Sequence, residues 1–339
     1  MTHLRFFILI TVSLTMGCGS KDDADKFRFL QKGNLAYGNR NAEQALTFYE
    51  EALAIDSAYV DAWYNKGLVY TGMENYDEAI FAYSQAINHK PSYFQAYLSR
   101  ADAHYAVKQY YAALSDLNYL HNQWPDSIKV DFLSGLVHNE LQQYDSAVYY
   151  FLSGLQKDSN NMELVVNLGN IYFHQSQFDS ARYYLNQNFT DDRQQAVAFN
   201  TLSLIALKEQ NLAEAEQLVD DALKLSPDDA YYLNNKGLIS LLQGEADKAD
   251  SLINMSMRIN PYNAWVYRNK GLIFYNKKDY PQAVRLLEKS FKMDNSIDDI
   301  HIDLAKAMIA NGQIQLACDV LSKAQPLTAV LELQQQYCN

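Results

Sequence analysis

From residue 26 onward apolar side chains return at helical rather than strand spacing, and the helical stretches come in pairs. In residues 60–92 the first stretch puts Trp63, Lys66, Gly67 and Tyr70 on one face. The second opens near Tyr76 and Asp77, where Asp77 can cap, and lines up Ala79, Tyr83 and Ala86. Bulky residues at 63, 70 and 83 facing small ones at 67, 79 and 86 let two antiparallel helices lie close together. Residues 88–91, ending in Pro91, close the pair.

The same pattern is copied along the chain with a period of 34 residues. Stepping from Ala79 gives Ala45, Ala113, Ala147, Ala181, Ala215, Ala249, Ala283 and Ala317 without an insertion or deletion. Stepping from Gly67 reaches Gly33, Ala101, Gly135, Gly169, Ser203, Gly237, Gly271 and Ala305, all small. Pro91, Pro125, Pro227 and Pro261 share one phase at the joints. These phases set nine units starting at residues 26, 60, 94, 128, 162, 196, 230, 264 and 298 and running to 331. A terminal helix over 328–337, with Ala329, Val330 and Leu333 inward, reads as a solvating cap. At the end of the unit starting at 162, Asn188 replaces alanine and the proline is absent, which predicts looser packing.

Trp63, Gly67, Tyr70, Ala79, Tyr83 and Pro91 resemble the signature of the tetratricopeptide repeat, with Lys66 in place of its leucine. The resemblance implies an all-α, right-handed solenoid whose first helices line a concave groove that binds segments of partner proteins. Its groove phases fall, in the last third, on Tyr231, Asn234, Asn235, Leu238, Leu241, Trp265, Arg268, Asn269, Leu272, Tyr275 and Asn276. Asn65, Asn167, Asn235 and Asn269 share the phase of an asparagine ladder, interrupted at Gln31, Ser99, Leu133, Thr201 and Asp303.

The first 17 residues carry Arg5 and the apolar run 6–16, then Gly17 and Cys18. The run is shorter than the roughly 20 residues that cross a bilayer, and reads as a secretory leader. The small residue before Cys18 resembles a bacterial lipobox, although Thr15 stands where leucine is usual. The resemblance implies cleavage, a covalent lipid on Cys18 as the only attached group, a linker over 18–25 and sorting to the outer membrane, facing either periplasm or medium. An ordinary cleaved signal with a leftover cysteine is the alternative.

The formal charge of -12 becomes -13 once Arg5 leaves with the leader, which argues against nucleic acid as a partner. Residues 258–292 reverse that sign, with eight basic side chains against two acidic ones. An acidic or amphipathic protein segment is therefore the expected ligand, with Arg268 pairing a carboxylate beside Trp265 and Tyr275. His104 and His138 share one repeat phase and read as core aromatics rather than a metal pair; the sequence holds no phosphate loop, nucleophile elbow or metal spacing. Cys318 and Cys338 could be bonded, but two free thiols, one of them buried, is the reading adopted. No enzyme is expected. Two functions remain: a membrane-anchored scaffold that binds proteins of the bacterial envelope, or an accessory of envelope polysaccharide or peptidoglycan metabolism that binds glycan or positions an enzyme.

Overall fold

The computed structural model describes residues 21–187 and 189–338. The leader, Cys18 and Asn188 lie outside the described residues. Every regular element among the described residues is a helix, and the helices fall into two compact units divided after Lys157.

The first unit pairs α1 (Lys21–Gly38) with α2 (Ala42–Ile55), α3 (Val60–Gly72) with α4 (Tyr76–His89), α5 (Phe94–Ala106) with α6 (Tyr110–Gln123), and α7 (Ile128–Glu140) with α8 (Tyr144–Lys157). The second pairs α9 (Met162–His174) with α10 (Phe178–Leu185), α11 (Asp192–Lys208) with α12 (Leu212–Leu225), α13 (Ala230–Leu242) with α14 (Ala246–Ile259), α15 (Ala264–Asn276) with α16 (Tyr280–Met293), and α17 (Ile300–Ala310) with α18 (Ile314–Leu321). Helix α19 (Thr328–Tyr337) packs on the last pair. Each unit is thus a stack of helix-turn-helix modules, the all-α solenoid architecture the periodicity predicts.

Close packing within a pair follows from the small phases. All nine alanines of the 34-residue series are fully buried. Gly67 lies directly under the Tyr83 ring, and a Cβ added at Gly271 would sit 2.6 Å from Leu287 Cγ. The turn inside each pair also repeats: Arg40, Glu74, Lys108, Gln142, Ser176, Gln210, Gly244, Lys278 and Gly312 all have φ between 57° and 86°. Only two of these nine are glycine, so most turns hold an L-residue in the left-handed region at a cost.

Four features depart from the expected frame. Residues 21–25 belong to helix α1 rather than to a linker ending at 25, and Lys26 ties the helix to Asp23 and Asp56. Helix α10 stops after 8 residues, and α11 starts at Asp192, four residues before 196, capped by Asp191, whose Oδ1 accepts from the backbone N–H groups of Arg193 and Gln194. Phe189 is buried at this joint, so the altered stretch is refolded rather than loosely packed. Helix α17 starts at Ile300, two residues after 298, behind Asp299 at φ 60°. Lastly, Cys318 and Cys338 are joined by a disulfide, with Cα atoms 5.6 Å apart, which corrects the free-thiol reading. Helix α19 folds back over α18, which brings the two cysteines together.

Candidate functional site: the first-helix face of the second unit

In the second unit the first helices α9, α11, α13, α15 and α17 lie side by side. They are joined by a run of polar pairs, one per step. Thr201 Oγ1 donates to Asn170 Oδ1 (2.8 Å), Asn235 Nδ2 to Asn200 Oδ1 (2.9 Å), and Asn269 Nδ2 to Asn234 Oδ1 (3.0 Å). At the last step Arg268 reaches Asp303, Nε at 2.8 Å and an Nη at 2.7 Å from the same oxygen. On each helix one residue bonds backward and its neighbour bonds forward, so α11, α13 and α15 are each tied on both sides. Lys208, at the end of α11, meets Asp298, just ahead of α17, at 2.8 Å. That pair spans α13 and α15, and with neighbouring axes about 8–10 Å apart it requires the face to curve inward.

Burial and the neighbouring cation act on Asp303 in opposite directions. Desolvation pushes the Asp303 carboxyl above its ordinary value, and the Arg268 guanidinium opposes that shift. Arg268 is 9% and Asn269 0% exposed. These findings correct two site assignments. Arg268 does not present a free cation to a partner, because it is consumed inside the stack. Asn234 and Asn269 are buried against each other and hold helices together rather than lining a ligand path. Of the remaining groove residues, Leu241 is buried, Asn235 is half-buried and bonded to Asn200, and Leu238, Trp265, Leu272 and Tyr275 are half-buried. Tyr231 and Asn276 are exposed. Thr201 and Asp303, which interrupt the asparagine phase in the sequence, are members of the polar run.

The expected cationic run is partly spent as well. Lys270 pairs with Asp250 and Asn254, and Lys289 sits 3.8 Å from the Tyr267 ring centroid. Arg258, Lys277, Lys278, Arg285 and Lys292 are exposed. The leucine of the repeat signature is replaced by a cation that bridges to a second helix in four units: Lys66 to Glu50, Arg100 to Asp116, Lys236 to Asp220 and Lys270 to Asp250.

The first unit holds a different polar centre. His121 Nε2 lies 3.0 Å from Ser134 Oγ, and His121 Nδ1 lies 3.7 Å from Asp131 Oδ1. These are the residue types of a hydrolase triad, but Ser134 is only 1% exposed and the Asp131 to His121 distance is too long for a hydrogen bond. Asp131 instead accepts from Lys157 Nζ (2.6 Å) and Ser153 Oγ (3.0 Å), and burial pushes the His121 imidazole below its ordinary pKa. The arrangement is a buried structural network. His104 and His138 each bond through Nδ1 to a glutamine five residues on, at 2.7 Å, and so brace the turn of their repeat rather than fill its core. Among the described residues no group of His, Cys, Asp and Glu could hold a metal ion, and no helix is long and apolar enough to cross a membrane.

Comparison with known proteins agrees with this geometry. Residues 60–93 match one tetratricopeptide-repeat family model and residues 200–264 a second. These two stretches are thus tetratricopeptide repeats, a fold that serves broadly as a scaffold for protein–protein interaction. Among solved structures it is similar to the APC/C hetero-tetramer Cut9–Hcn1, at 14% identity over 94% of this chain and 64% of that one, with a TM-score of 0.63. It is also similar to pilF of Pseudomonas aeruginosa, at 19% identity over 63% of this chain and 97% of that one, with a TM-score of 0.51. Identities this low establish likeness of fold alone. No curated protein matches the sequence.

Proposed function

We propose that this protein is a lipid-anchored scaffold of the bacterial envelope that binds a protein partner on the first-helix face of its second unit. The observation that carries the reading is the polar run from Asn170 to Asp303, which holds that face rigid while leaving Tyr231, Leu238, Trp265, Leu272 and Tyr275 partly accessible along it. A preorganised surface with aromatic anchors loses little entropy on binding. The partner is an acidic or amphipathic segment, attracted by the five exposed cations between 258 and 292 rather than held by Arg268. Anchoring is through lipid on Cys18, in the outer membrane. One acyl chain binds a membrane only marginally, whereas several hold stably.

Affinity capture from detergent-solubilised membranes, with wild type and variants compared side by side, tests the reading. Tyr231→Ala and Tyr275→Ala are expected to lower recovery of the same partner, increasingly so as salt is raised, while Lys108→Glu in the turn between α5 and α6 leaves it unchanged. Equal recovery by all of them would move the site elsewhere. Cys18→Ala should release the protein from sedimented outer membranes; if it stays there after a salt wash, the anchor is wrong.

A further inference from the structure

Where α13 and α15 begin, away from the polar run, an open pocket of about 490 Å³ is walled by Tyr231, Tyr262, Trp265, Asn263, Met293 and Asp294. The repeat does not require these aromatics. At the phase of Tyr231 and Trp265 the earlier units carry Phe27, Asp61, Gln95, Lys129, Glu163 and Val197. At the phase of Tyr262 they carry Ala58, Ser92, Asp126, Asn160, Gln194 and Asp228. Three large rings therefore gather at one joint where the other copies are mostly small or polar. Tyr262 is 86% and Tyr231 54% exposed, so neither serves a core.

The polar groups of the pocket are unfinished in a complementary way. Asn263 is 5% exposed; its Oδ1 caps α15 by accepting from the Trp265 backbone N–H at 3.1 Å, which fixes the orientation of the amide. Its Nδ2 is then buried in the pocket wall with no hydrogen-bond partner. An orphaned buried donor is costly unless something completes it. Asp294, across the pocket, spends Oδ1 on the Ser296 backbone N–H and hydroxyl, which leaves Oδ2 as an acceptor. Trp265 is held in place by the guanidinium of Arg268, 5.6 Å from its ring and itself fixed by Asp303. No lysine or arginine lines the pocket, and its one carboxylate disfavours an anion.

A ligand that fits must offer flat apolar faces to tyrosine and tryptophan together with groups that both accept and donate hydrogen bonds, and must carry no negative charge. We infer that this pocket binds a neutral saccharide whose pyranose rings stack on Tyr231, Tyr262 and Trp265 while hydroxyls accept from Asn263 Nδ2 and donate to Asp294. Equatorially substituted, β-linked pyranoses present such faces, since their axial C–H bonds point to either side of the ring. The volume lies in the range of small-molecule sites, about 300–1,000 Å³. The pocket shares Tyr231 and Trp265 with the proposed protein-binding face, but Tyr262, Asn263 and Asp294 belong to it alone, so the inference stands whether or not that face binds a protein.

Calorimetric titration of the full chain with cellohexaose, and separately with chitohexaose, tests the inference. Saturable binding of at least one is expected in the millimolar range or tighter. Tyr262→Ala should weaken it about threefold to tenfold, the worth of one stacking ring, and its high exposure keeps the fold intact. Asn263→Asp, which retains the capping oxygen and removes the donor, should weaken it as well. Tyr111→Ala, at a tyrosine also exposed but in the first unit, should have no effect. Absence of binding to both hexasaccharides, or equal affinity in Tyr262→Ala and wild type, overturns the assignment.

Discussion

In the unit ending at Lys157, the most buried carboxylate of a first helix, Asp131 on α7, turns toward second helices: it takes Lys157 and Ser153 from α8 and faces His121 on α6. In the unit beginning at Asp158, the corresponding investment runs from first helix to first helix, Asn170 through Asp303. The first unit starts such a run, with Asn65 Nδ2 donating to Asn34 Oδ1 at 2.9 Å and Tyr64 meeting Ser99 at 3.4 Å, but Leu133 occupies the next position and is buried. Repeats that share a backbone plan therefore differ in what couples them. Where nearest-neighbour packing is chiefly apolar, each joint contributes by area; where paired polar groups cross every joint, removing one leaves its buried partner exposed to the full desolvation cost.

The contrast is broken most severely at Arg268. Arg268→Ala leaves Asp303 buried without its cation, and urea unfolding of the second unit should lose about 3–5 kcal/mol, whereas Arg268→Leu combined with Asp303→Leu should recover most of the loss. If the single variant costs no more than an exposed pair, the first-helix run is not what couples these repeats. Next, Asn234→Ala removes the acceptor of Asn269 Nδ2 in a fully buried site and should cost about 1–3 kcal/mol by the same measurement.

Acid should act on both units through partly desolvated imidazoles. Desolvation lowers the pKa of the half-buried His121 in the first unit and His301 in the second from their ordinary value of 6.5. In the unfolded chain these rings take a proton first, so their contribution to stability is complete above about pH 6.5 and declines as pH falls through the lower folded values. Asp303 has the opposite sign, because its raised pKa makes the folded state hold a proton more tightly than the unfolded chain does. Melting temperatures between pH 7.5 and 5 should therefore fall, and His301→Gln should flatten the part of the decline that belongs to the second unit. The smallest expected effect is a gain. Gln142→Gly relieves a left-handed residue at φ 57° in the turn of the first unit's last repeat and should add about 0.5–1 kcal/mol. An unchanged midpoint would mean that the Gln142 side chain repays its strain.

Much of the architecture was legible because helix packing demands small residues at fixed positions: the alanine series from Ala45 to Ala317 and Gly67 under Tyr83 are steric necessities. The polar run was not. Asparagine recurs at 235 and 269 while Thr201 and Asp303 break the residue type, because what is repeated is a donor–acceptor pair 31 or 35 residues apart rather than an amino acid. The role of Arg268 is hidden for a related reason. Local charge density between 258 and 292 is visible in sequence, while the carboxylate that neutralises it lies one repeat further on. The Cys318–Cys338 bond depends on α19 folding back over α18, which spacing alone does not reveal, and the pocket at Asn263 depends on an amide left without a partner, which only the folded chain shows.

The claim that polar pairing fuses the first helices of the second unit into one cooperative surface is tested most directly by native-state hydrogen exchange, followed residue by residue in increasing urea. The account predicts that amides of α11, α13 and α15 share one opening free energy and one urea dependence, higher than those of α5 and α7, and that Asn234→Ala splits them into separate groups. If α11, α13 and α15 already open independently in the wild type, or open together as before in Asn234→Ala, the polar run does not couple the repeats.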